Sequence, residues 1–83
     1  MARSSIISIR TDRATTSRSG GLSQTWYSLT ATLDGVKYGI EGLRFGDRVS
    51  IFEVYRQGGQ AVRRNSGLRR ELNAAARAYM EGL

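Results

Sequence analysis

The chain has 83 residues, 13 Lys plus Arg against 7 Asp plus Glu, a formal charge of +6, and no His, Cys or Pro. This length supports one small domain, residues 1–83, with a single core. Without His or Cys it lacks the usual general base near pH 7, the thiolate nucleophile and every nitrogen or sulfur side-chain ligand for zinc, haem or iron–sulfur centres. The composition therefore argues for a non-enzymatic binding protein with no metal or other cofactor. Apolar runs are only a few residues long, far short of the roughly 18 to 20 needed to span a bilayer. Met1, Ala2 and Arg3 lead into Ser and Ile rather than an apolar signal region, so a cytoplasmic protein is expected.

Ser4 to Arg10, with Ile6, Ile7 and Ile9, is expected to form a first strand. Thr11 to Ser23 is rich in Thr, Ser, Gly and Arg and has no apolar period, which predicts a mobile surface loop over residues 11–23. Thr25 to Leu33 then alternates, and Asp34-Gly35 is a favoured type I′ hairpin pair. A two-residue turn there sets Leu33 opposite Val36, Ala31 opposite Tyr38, Leu29 opposite Ile40 and Tyr27 opposite Gly42, all on one apolar face. The reverse face pairs Thr32 with Lys37, Thr30 with Gly39, Ser28 with Glu41 and Trp26 with Leu43.

After a turn around Gly46 and Asp47, Val49 to Arg56 is apolar at both parities, which predicts an inner strand covered on both sides. Gly58-Gly59 predicts a tight turn and a short strand from Gln60 to Arg64, with Val62 across from Tyr55 and Arg64 across from Glu53. Asn65 and Ser66 are N-cap residues, and Leu68, Leu72, Ala75, Ala76, Tyr79 and Met80 recur at helical spacing. Gly82 and Leu83 fit a left-handed, Schellman-type stop. The expected fold is α+β: an antiparallel sheet of four or five strands with one C-terminal helix packed on one face.

Charge is concentrated at the ends. Arg63 and Arg64 precede the helix caps, Arg69 and Arg70 stand in its first turn, and Glu81 lies at its far end. This opposes the helix dipole, at a cost of roughly 0.3 to 1 kcal/mol per exposed charge. Either these heads are merely solvated, or an anion uses the field, with phosphate oxygens near Asn65, Ser66 and Gly67 and with Arg63, Arg64, Arg69, Arg70 and Arg77 around them. Arg13 and Arg18 could fold over the same polyanion from the 11–23 loop. On the sheet's second face, Trp26, Leu43 and Phe45, with Phe52 able to join them, form an aromatic contact patch. It suits stacked bases, a protein partner or a homodimer, or is simply the edge of the core. Glu41 and Glu53 fall on neighbouring strands, but no further carboxylate is fixed by spacing for metal-dependent chemistry.

These features predict a small basic protein that engages nucleic acid or an acidic, nucleoprotein partner. The alternative is a phage or mobile-element inhibitor, anti-CRISPR-like, that blocks a host protein complex. A homodimer through the second sheet face is compatible with either.

Overall fold

A computed structural model describes residues 6–83; Ser4 and Ser5 of the expected first strand lie outside the described residues. Among the described residues the chain runs β1 (Ile7–Ser19), β2 (Leu22–Leu33), β3 (Val36–Phe45), β4 (Arg48–Arg56), β5 (Gln60–Ala61) and α1 (Gly67–Glu81). The strands form one antiparallel meander in chain order, with the helix on one face. No described helix is long and apolar enough to cross a membrane.

The central hairpin follows from its turn. Asp34 and Gly35 both take positive φ, 52° and 78°, as a type I′ turn requires. The resulting ladder runs from Leu33 opposite Val36 to Gln24 opposite Phe45 and includes all eight expected pairs. Leu29, Ala31, Leu33, Tyr38 and Ile40 are thereby buried on one side, with Val49 and Val54 beside them on β4. Helix residues Leu72, Ala76 and Met80, spaced four apart, cover them. Full burial of each larger side chain contributes about 1.5 to 3 kcal/mol. Gly42 makes room for Met80: a Cβ there would lie 2.9 Å from the Met80 sulfur.

The expected loop over residues 11–23 is instead extended backbone. β1 pairs with β2 from Ile7 opposite Leu33 to Ser19 opposite Leu22, leaving only Gly20 and Gly21 as the turn. The polar composition misled because this ribbon needs no core. Its backbone groups pair across the ladder, its Thr residues suit a pleated strand, and Thr16 and Thr25 share a 2.9 Å hydroxyl hydrogen bond. The register shifts between Thr11 and Arg13, a bulge at Asp12. Beyond it Arg13 faces the open side with Ser28, while Ala14 and Arg18 continue the helix side.

A second bulge corrects the reading of β4 as covered on both sides. Glu41 pairs with Glu53 but Gly42 pairs with Ile51, so Phe52 is an extra residue that reverses the strand's phase. Val49 and Ile51 therefore share the helix side with Val54 and Arg56, and one face accounts for both apolar parities. The last strand is also shorter and displaced: Ala61, not Val62, stands opposite Tyr55, and Arg64 lies beyond the strand. The Gln57 N–H still bonds to Lys37 O of β3 at 3.0 Å, so the turn takes three residues, Gln57 to Gly59. The helix end differs too. Gly82 is right-handed, at φ −87° and ψ −3°, and Leu83 is exposed instead of closing a Schellman contact.

Candidate binding surfaces

Ser66 caps α1: its hydroxyl accepts from the Arg69 N–H at 3.1 Å and donates to Arg63 O at 2.8 Å. Arg69, expected beside a phosphate, is instead 7% exposed. Its guanidinium donates to Asn73 Oδ1 at 3.1 Å, Val62 O at 3.3 Å and Phe52 O at 3.5 Å. β5 pairs only with Tyr55 and Arg56, so the rest of this β4 edge has no strand beside it, and the planar guanidinium reaches acceptors on β4, on the lead-in to the helix and on the helix at once. Arg77 likewise donates to Val49 O at 2.6 Å, farther along the same β4 edge. Arg69 is thereby taken up by the fold, whereas Arg77 makes this one bond and remains exposed.

The helix's opposite end is served from outside. Arg44 on β3 donates to Met80 O at 2.9 Å, Leu83 O at 3.0 Å and Gly46 O at 3.1 Å. It supplies the terminal cation that the helix itself lacks. Nothing in the local sequence signals this contact, because it joins residues 36 and 39 positions apart.

Arg63, Arg64 and Arg70 remain exposed near the helix start, along with Asn65 and Gly67. The structure adds Arg56, which sequence reasoning missed. A cleft of about 250 Å³ has Arg56, Gln60, Arg63 and Ser66 on its polar side and Tyr38 and Leu68 among its apolar lining. The signal for Arg56 was its place on the helix side of β4, but that side is recognisable only once the bulge is known. Arg13 and Arg18 do not act together: Arg13 lies on the open face and Arg18, opposite Ser23, on the other.

Charge is thus divided between the two sides. The helix, its lead-in and the sheet face beneath it carry Arg18, Arg44, Arg56, Arg63, Arg64, Arg69, Arg70 and Arg77 against only Glu71 and Glu81. That is an excess of six positive charges among the described residues. The open face is nearly balanced, with Arg10, Arg13, Lys37 and Arg48 against Asp12, Glu41 and Glu53.

On the open face Trp26 stands opposite Leu43, and Phe45 follows one pair along. Phe52, turned to this side by the bulge, stacks on Trp26 with centroids 5.1 Å apart and planes inclined by 17°. Glu41 Oε1 accepts from Trp26 Nε1 at 3.1 Å and from the Ser28 hydroxyl at 2.9 Å. Tyr55 lies over Gly39, and its hydroxyl is pushed above the usual tyrosine pKa by burial first and then by the nearby charge of Glu41. Asp12 accepts from the Thr30 hydroxyl and, at 2.9 Å, from Arg10 Nε. These two bonds, that from Thr30 foremost, hold its carboxyl below the ordinary aspartate range. Leu22, Trp26, Phe45 and Phe52, four of the six exposed large apolar residues among those described, share this face.

Glu41 and Glu53 are direct cross-strand neighbours, yet among the described residues no group of three or more His, Cys, Asp or Glu could hold a metal ion. The chain matches no protein-family model, no curated protein and no solved structure.

Proposed function

We propose that this protein is a non-enzymatic, cytoplasmic binder of nucleic acid that grips phosphates with the arginines of its helix side. One observation carries the reading: that side holds eight arginines against two carboxylates among the described residues, and Arg56, Arg63, Arg64 and Arg70 flank the cleft and helix start without an ion-pair partner among them. Guanidinium groups suit phosphate oxygens, and contacts of this kind bring affinity with little base specificity. The helix N-terminus adds a favourable field for an anion, because no acidic residue occupies its first turn.

The test is fluorescence anisotropy of labelled single- and double-stranded DNA and RNA across a salt series. Each duplex phosphate contact contributes about −0.9 to the slope of log K against log salt. Replacing Arg56, Arg63, Arg64 and Arg70 with Ala should flatten that slope by up to about 3.6 with the fold intact; an unchanged slope would remove the reading.

The open face favours a second reading, the phage or mobile-element inhibitor that blocks a host protein complex. Its support is the Trp26–Phe52 stack, half-exposed beside Leu43 and Phe45, since Trp and aromatic anchors dominate protein interfaces. In that case Trp26→Ala should weaken capture of the host complex by at least about 30-fold, while the four-arginine variant binds it normally.

A further inference from the structure

The open face carries a stack of exposed aromatics and a directly opposed, like-charged pair, Glu41 and Glu53. Like charges in that position destabilise a sheet. The arrangement is unsuited to phosphate, because the carboxylates repel it and each stacked ring has already used one face on the other. It is suited to itself. Along β1 it carries Arg13 beside the Arg10–Asp12 ion pair, and at the other side of the same face Glu41 and Glu53 lie together on β3 and β4, with Lys37 and Arg48 toward the two ends of those strands.

We infer that a second copy of this chain covers the open face, related to the first by a two-fold axis parallel to the strands. That operator lays β1 of one copy over β4 of the other and β2 over β3. At the level of the Trp26 and Leu43 pair it sets Trp26 over Leu43 of the other copy, twice. One pair along, it sets Arg13 over Glu53, also twice. Turning the axis perpendicular to the strands instead lays β1 over itself and β4 over itself, which leaves Arg13 and Glu53 without each other. The area is adequate: four strands about 4.8 Å apart and about 33 Å long offer roughly 600 Å² per copy. Two copies reach the lower end of specific interfaces, about 1,200 Å² in total. The result is a helix–sheet–sheet–helix sandwich, an aligned sheet packing. Taken with the nucleic-acid reading, on which this consequence rests, it carries two basic surfaces back to back and joins two nucleic-acid segments.

The test is analytical ultracentrifugation of the full chain without nucleic acid, from about 1 to 200 μM, so that it stands or falls apart from phosphate binding. A concentration-dependent monomer–dimer equilibrium is expected. Arg13→Glu and Glu53→Arg, each at an exposed position, should weaken it about tenfold or more, and the double exchange should recover most of the loss. Circular dichroism checks that each variant is folded. A monomer at every concentration overturns the inference. So does a double exchange no better than either single variant, or a monomeric protein whose Trp26 emission is quenched by single-stranded nucleic acid.

Discussion

The two faces of this sheet use the same kinds of residue to opposite ends. On the helix side, arginines close the structure: Arg69 and Arg77 hold carbonyls at the β4 edge, and Arg44 holds those at the helix end. The remaining cations accumulate there without a matching number of carboxylates. On the open side the charges nearly balance, and large apolar groups stay in solvent. Arg69 and Arg70 condense the lesson, being adjacent in sequence and different in fate. A guanidinium is part of the fold where an unpaired carbonyl is within reach, and stays in solvent where none is.

That contrast can be broken most strongly at Arg69. Arg69→Leu should lower unfolding free energy by about 2 to 4 kcal/mol in urea titration, because it strands three buried or half-buried acceptors. Arg70→Leu should change it by no more than about 0.5 kcal/mol. Equal effects would erase the distinction between structural and free arginines.

A smaller effect sharpens the comparison within a single strand. Gly42→Ala drives a methyl group against the Met80 sulfur and to 3.2 Å from the Ser50 carbonyl beneath the helix, at an expected cost of about 1 to 3 kcal/mol. At Gly39, on the open face, the obstacle is the end of the Tyr55 side chain, which can swing into solvent. Gly39→Ala should therefore cost less than Gly42→Ala in the same urea titration.

The smallest effect is a pH response. Asp12 is depressed in the folded chain, so its stabilising contribution is complete above the unfolded aspartate pKa of about 3.9 and is lost as pH falls through the lower folded value. Thermal unfolding of the wild type should show this loss in the acid range. Asp12→Asn should show a smaller decline over the same range.

Much of the architecture was legible in the residues. Asp34-Gly35 with its flanking alternation defined the central hairpin to the residue, including the Trp26 and Leu43 pair of the open face. Asn65-Ser66 and the Leu72, Ala76, Met80 spacing located the helix. Residues 11–23 resisted because a two-stranded ribbon exposed on both sides needs no hydrophobic period. In β4, the bulge at Phe52 reversed the phase midway, so a strand with one buried face looked like a strand with two. Of the expected site, Arg63, Arg64 and Arg70 stay exposed, Arg69 is drawn into the fold, Arg77 stays exposed with one bond to β4, and Arg56 enters.

By itself, then, the sequence determined the order of elements, the hairpin register and the excess of cations, because turn chemistry and side-chain alternation act between near neighbours. Only the tertiary structure decided where those cations act. The short β5 left most of the β4 edge without a strand partner, and the packing of Met80 over Gly42 set the helix near enough for Arg69 and Arg77 to reach β4 and for Arg44 to reach the helix end. Hydrogen bonds form only within about 3 Å, and the distances that select one arginine over its neighbour arise only when strands and helix are packed together.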